Sequence, residues 1–179
     1  MHIEFEVRVL NIDVDKTISK LESLGAKKIG DYFQKRYVYD IVPGENDRFV
    51  RVRDNGEKVT ITYKDKRVRT ISGTKETEIE VNDFNTAKEL LNNLGFVDGP
   101  YQENKRITYV LDDAEFDFDT YPNIPTFMEI EGKDEETVKK YISILNLENN
   151  EQTCDSIMKI YDRYGIHVTG KEDLVFKEG

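Results

Sequence analysis

The chain has 179 residues, 35% of them charged and 37% apolar, with a net charge of −10; an ordinary soluble domain carries about 25% charged residues. Ten tyrosines and nine phenylalanines exclude a disordered chain, which is poor in such rings, and the length suits a single domain over 1–179. The acidic balance excludes a broad surface for nucleic acid or anionic lipid, though not a local basic pocket.

In chain order, a strand is expected near 2–10, where Ile3, Phe5, Val7 and Val9 alternate with Glu4, Glu6 and Arg8. An amphipathic helix follows from Asp13 to Leu24, with Asp13 as N-cap and Gly25 as its stop. Strands are expected near 30–41, 48–54, 57–65 and 75–82, with Asn55-Gly56 as a strong hairpin signal. A second helix runs from Asp83 to Leu94 and ends at Gly95. Asp13, Leu21, Leu24, Gly25, Arg36 and Tyr39 stand 70 residues before Asp83, Leu91, Leu94, Gly95, Arg106 and Tyr109, which reads as an internal repeat of strand–helix–strand units. Strands near 101–111, 114–120 and 126–132 complete the set, the first two joined at Asp112-Asp113, a weaker hairpin signal. After Gly132 the pattern turns helical, near 134–145 and 155–164.

Each strand has one apolar and one charged parity. Arg51 and Arg53 alternate with Val50 and Val52, and Lys64 shares a face with Thr60 and Thr62. Glu76, Glu78 and Glu80 form another charged row, as do Asp117 and Asp119, then Glu129 and Glu131. Successive side chains on a strand point to opposite faces, so these charges share one face of the sheet. Two arrangements fit. The face is the wet side of an antiparallel sheet, or eight strands close into a barrel and the charges line its interior. Carboxylate pairs suit Mg2+ or Mn2+, and arginine and lysine suit phosphate oxygens. One cysteine and two histidines make a structural zinc site improbable. The lone cysteine, the short apolar runs and an N-terminus without a leader pattern point to a cytoplasmic protein with no membrane span.

Glu4-Phe5-Glu6-Val7-Arg8 resembles the ExExK signature of the CYTH superfamily, the triphosphate tunnel metalloenzymes. Arg51-Val52-Arg53, Thr62-Tyr63-Lys64, Glu78-Ile79-Glu80, Arg106, Asp119 and Phe127-Met128-Glu129-Ile130-Glu131-Gly132 follow in the family's order. The resemblance covers roughly 1–165. It implies an α+β fold, an eight-stranded antiparallel β-barrel over about 2–132 with helices packed outside, those at 134–165 included. It further implies a metal-dependent enzyme that binds a triphosphate in the barrel. Glu4, Glu6, Glu129 and Glu131 would hold Mg2+ or Mn2+, and Arg8, Arg51, Arg53, Lys64 and Arg106 would grip the triphosphate. Glu78, Glu80 and Asp119 would serve catalysis.

The foremost implied activity is hydrolysis of inorganic triphosphate or of an organic one such as thiamine triphosphate. The alternatives are a class IV adenylyl cyclase acting on ATP and a non-catalytic polyphosphate or nucleotide binder; a homodimer is a compatible assembly. The family lysine is Arg8 here, a cation that does not act as a base. Lys105 is one residue out of phase with the family's KxR pattern and is expected on the opposite face. Asp117 shares the charged face but matches no motif, and is expected beside the site rather than in it. Gly73-Thr74-Lys75 lacks the P-loop spacing, and Asp112–Asp119 lacks the glycine and closing glutamate of an EF-hand. Cys154 and Met158 read as core. The helix bearing Tyr161, Arg163 and Tyr164 is expected to seal one end of the tunnel.

Overall fold

The computed structural model describes residues 2–45, 47–97, 99–170 and 172–177. Nine strands are present among them: β1 (His2–Val9), β2 (Lys27–Asp40), β3 (Arg48–Asp54), β4 (Val59–Asp65), β5 (Thr74–Val81), β6 (Tyr101–Leu111), β7 (Ala114–Thr120), β8 (Phe127–Gly132) and β9 (Gln152–Thr153). Four helices accompany them: α1 (Val14–Ser23), α2 (Phe84–Asn93), α3 (Glu135–Ile144) and α4 (Ile157–Arg163). The strands form one sheet in the order β5-β4-β3-β2-β6-β7-β8-β1, and β1 pairs with β5 to close it into an eight-stranded antiparallel barrel. The short β9 adds to β1 beyond the end of its pairing with β5; at two residues it has no periodicity to announce it. No helix among the described residues is long and apolar enough to cross a membrane.

The repeat seen in the sequence is a two-fold arrangement of the barrel. Exchanging β1–β4 with β5–β8 returns the same circular strand order. The local devices repeat as well. Asp13 accepts from the Lys16 backbone N–H at 3.1 Å and Asp83 from that of Thr86 at 2.7 Å, each capping its helix. Leu24 and Leu94 close the two helices, followed by Gly25 at φ 92° and Gly95 at φ 94°, backbone angles that favour glycine.

The apolar strand parity faces outward, under the helices. Val7, Val9, Phe116, Met128 and Ile130 pack beneath α1 and α3 with Leu21, Val138 and Tyr141. Tyr39, Val50 and Val52 pack beneath α2 with Phe84 and Leu91. A third cluster, Leu10, Tyr121, Phe127, Ile160 and Tyr161, seats α4 at one end of the barrel. Cys154 packs beside the first cluster and Met158 beside the third, both partly buried.

The two hairpins reverse their expected strengths. Asn55-Gly56 opens a four-residue loop, because Asn55 Oδ1 accepts from the backbone N–H groups of Glu57 and Lys58. Asp112-Asp113 makes the tight two-residue turn, with Asp112 at φ 51°. Gly73-Thr74 ends the β4–β5 loop and begins β5, so no phosphate loop exists there.

Candidate functional site

Barrel closure turns the charged parity inward, around a cavity of about 990 Å3. The lining divides by charge into two arcs. Along β4, β3, β2 and β6 stand Lys64, Arg51, Arg53, Arg36 and Arg106. Along β7, β8, β1 and β5 stand Asp117, Asp119, Glu129, Glu131, Glu4, Glu6, Glu76 and Glu78, interrupted by Arg8. Eleven of the twelve residues singled out from the sequence therefore meet in one space. The exception is Glu80, which lies on the expected parity but is exposed near the end of β5 and does not line the cavity. The strand carries it beyond the space that Glu78 faces, so the structure does not bring it together with the other eleven.

The carboxylate arc is held by cations. Lys64 Nζ lies 2.9 Å from Glu4 and 2.8 Å from Glu76. Lys66 pairs with Glu6. Arg8 donates to Glu129 at 2.8 Å and to the Asp155 carbonyl at 2.6 Å. Arg106 forms a fork on Asp119, at 2.8 and 2.5 Å, reaches Glu129 at 3.0 Å and also pairs with Asp117. Asp119 additionally accepts from Asn104 at 2.8 Å. Burial opposes ionisation of Asp119, but the Arg106 charge and hydrogen bonds outweigh it and hold its pKa down.

The arginine arc is less neutralised. Among the described residues, Arg51 and Arg53 share a single carboxylate, Glu78, at 3.7 and 3.4 Å. Glu78 also accepts from Thr62 at 2.6 Å. The Arg51 charge, with burial and the charges of Arg106 and Arg36, pushes the Arg53 pKa down to about 9.

Crowding acts on the carboxylates too. Burial raises Glu4 to about 8 against the pull of Lys64, with Glu76 and Glu6 adding to the rise. Burial with the Glu129 and Glu6 charges raises Glu131 to about 7. Among the described residues, no group of three or more His, Cys, Asp or Glu side chains is arranged to hold a metal ion as it stands. The donor set nonetheless fits a hard divalent cation. Glu4, Glu6, Glu129 and Glu131 present only carboxylate oxygens, and their mutual repulsion is what such a cation relieves. Taking one up requires Glu4, Glu6 and Glu129 to exchange their present ammonium and guanidinium partners.

Among the lining residues not singled out as site residues from the sequence are Glu76, Lys66, Arg36 and Asp117. Glu76 shares the parity of Glu78, and Lys66 lies two positions beyond Lys64, just past the end of β4. Arg36 is the repeat mate of Arg106, a signal present in the sequence but unread as chemistry. Asp117, expected beside the site, lines the cavity and accepts from Thr108 at 2.5 Å. Lys105 is exposed on the outer face, over the Phe176 ring, as its phase implies. At the α4 end the lining residues are Ser156, Ile157 and Met158, at the helix start. Tyr161 instead anchors that helix, donating to the Pro122 carbonyl at 2.7 Å, while Arg163 pairs outside with Glu151 and Asp155.

The chain and its fold have counterparts among known proteins. A Methanocaldococcus jannaschii protein named "Putative adenylate cyclase" is 26% identical over 179 residues, spanning 98% of this chain and 95% of its own. A Pyrococcus horikoshii protein of solved structure superposes with a TM-score of 0.72 at 26% identity, over 83% of this chain and 94% of its own. A Hippeastrum structure, named as a "Putative adenylyl cyclase" with a dominant triphosphatase activity, shares the fold with a TM-score of 0.63 at 17% identity. That match spans 94% of this chain and 98% of the Hippeastrum chain. The family model of the CYTH domain matches residues 2–155, and with the closed barrel and its inward charges in view, the chain belongs to the CYTH domain family.

Proposed function

We propose that the chain is a single-domain, divalent-metal-dependent triphosphatase that binds inorganic triphosphate, or the phosphate chain of a small organic triphosphate, inside the barrel. The observation that carries this reading is the opposition of the two arcs. Arg36, Arg51 and Arg53, with one carboxylate partner between them among the described residues, stand on one wall, and crowded carboxylates line the other. A polyanion and a divalent cation are the two species that such walls accept together.

In this reading Arg51, Arg53, Lys64 and Arg106 hold phosphate oxygens, and Arg8 serves as a further fixed cation. Asp119 is a positioning residue: it fixes the Arg106 fork and does not itself reach the phosphates. Glu78 holds Arg51 and Arg53 in place before the anion arrives. Glu4, Glu6, Glu129 and Glu131 would hold Mg2+ or Mn2+, which neutralises phosphate charge and activates a water nucleophile when bound. Once the carboxylates have exchanged their present cation partners, the barrel holds these groups in place, and little further reorganisation is needed when charge shifts along the phosphate chain.

A second reading, a class IV adenylyl cyclase, is favoured by the apolar part of the lining. Val38, Ile41, Phe49, Phe96 and Val97 border the cavity and offer a surface for an organic group. Incubation with Mg2+ or Mn2+ and inorganic triphosphate, thiamine triphosphate or ATP separates the readings. Phosphate release supports the hydrolase. Cyclic AMP with pyrophosphate from ATP replaces it with the cyclase. Stabilisation by triphosphate without turnover leaves a binder.

A further inference from the structure

Arg36 and Arg106 occupy equivalent places in the two repeats, on β2 and β6, and both line the cavity. Their surroundings are opposite. Arg106 is held by Asp117, Asp119 and Glu129. Arg36 has no carboxylate partner among the described residues. Its Nη1 donates to the Tyr121 hydroxyl at 3.0 Å and its Nη2 to Gln34 Oε1 at 3.2 Å, both neutral acceptors. Its Nε is buried with no partner.

Arg36 is 6% exposed, and the residue opposite it on β3 is another arginine, Arg53. Burial lowers the Arg36 pKa, and the Arg51 and Arg106 charges lower it further, against Tyr121 and Asp119. Arginine keeps its proton in proteins, so the site does not relieve this by becoming neutral. A buried cation with neutral partners and like-charged neighbours lacks a counter-anion.

We propose that Arg36 is a further anion-binding residue of the cavity, which grips an oxygen of a condensed phosphate held among β2, β3 and β6. The side chain lines the cavity, and its enclosed, unpartnered Nε–H becomes a donor to the anion when the guanidinium turns toward it. Tyr121 presets the guanidinium through its hydroxyl and through its ring, 5.4 Å from the Arg36 Cζ. The Tyr121 ring is itself stacked on Phe127, with centroids 6.0 Å apart and planes 11° apart. The inference rests on the triphosphate reading above and adds to it a contact that reading did not include.

The test compares wild type, Arg36→Met and Arg36→Gln by calorimetric titration with inorganic triphosphate and by thermal unfolding without ligand. Arg36→Met is expected to weaken triphosphate binding by roughly tenfold or more, as for loss of a charged hydrogen bond. Its unliganded midpoint is expected to stay level or rise, because an apolar side chain replaces an uncompensated charge. A purely structural arginine gives the reverse, a lower midpoint with affinity intact, and that result overturns the inference. Should Arg36→Met not fold, Arg36→Gln, which keeps a donor for Tyr121, is read by the same criterion. If wild type binds triphosphate and the variant binds equally well, the role of Arg36 is lost while the wider reading stands. If wild type does not bind triphosphate at all, both fall.

Discussion

The two halves of the barrel share a strand order and differ in part of their inward charge. Strands β2–β4 and their counterparts β6–β8 hold equivalent places in the circular order, and the helices before them carry the same Asp cap and glycine stop. Yet β3 turns Arg51 and Arg53 inward, whereas its counterpart β7 turns in Asp117 and Asp119. The devices that shape the chain are local and have been kept in both halves. The inward charges follow no such rule: they are opposite in sign between β3 and β7 and between β4 and β8, whereas β1 and β5 both turn in glutamates and β2 and β6 each turn in an arginine. The result is an interior with a cation wall and an anion wall, made from one structural unit used twice.

Several substitutions test how far that division of labour holds, beginning with the largest expected effect. Glu129→Gln on the anion wall is expected to lower metal-dependent phosphate release by about two to three orders of magnitude and to retain a cooperative thermal transition. Normal turnover in this variant would falsify the carboxylate assignment. On the cation wall, Arg53→Met is expected to raise KM roughly 10- to 100-fold. The same change should raise the unliganded melting midpoint, since Arg51 already pushes the Arg53 pKa down to about 9. A lower midpoint would show that the arginine pair supports the fold rather than awaiting an anion.

A smaller effect is expected in the pH dependence. Burial raises Glu131 and Asp117 to about 7 each, above the ordinary carboxylate range. The folded chain then holds extra protons between about pH 4 and 7. The stability they contribute is complete at the acid side of that window and is lost as pH rises through 7. The melting midpoint of the metal-free protein should fall from pH 5 to pH 8, and Glu131→Gln should flatten the slope; an unchanged slope in that variant removes Glu131 as its source. The smallest expected effect is that of Glu80→Gln. Turnover should stay within about twofold of wild type, as expected for an exposed side chain outside the cavity. A large loss there would move the site toward the other mouth of the barrel.

Much of the fold was legible because its signals are short-range. Period-two alternation located the eight barrel strands to within about three residues at their ends, and Asp13 and Asp83 marked two helix starts. The site was legible where charge repeats on a strand, as at Glu4-x-Glu6, Arg51-x-Arg53 and Glu129-x-Glu131. It was missed at Glu76, Asp117 and Lys66, which belong to or extend such rows, and at Arg36, where charge stands singly. Arg36 lies between Gln34 and Val38 on its own face of β2 and reads as an isolated surface charge until the barrel closes around it. Glu80 is the converse, a residue with the right parity that the strand places outside the cavity. The hairpins show the same boundary. Asn55-Gly56 favours a turn, but its loop length was set by the pairing of Asp54 with Val59.

By itself, the sequence determined which residues share a face, where the helices begin and stop, and that the chain is built from two related units. Those properties follow from backbone sterics and side-chain period within a few residues. Only the tertiary structure decided that the charged face is enclosed. That outcome depends on β1 pairing with β5 between positions at least seventy apart in the chain, and such a pairing leaves no periodic mark. Closure also set which charges meet. It brought three carboxylates to Arg106 and none among the described residues to Arg36, a difference between two repeat-related arginines that arises from their neighbours across the barrel.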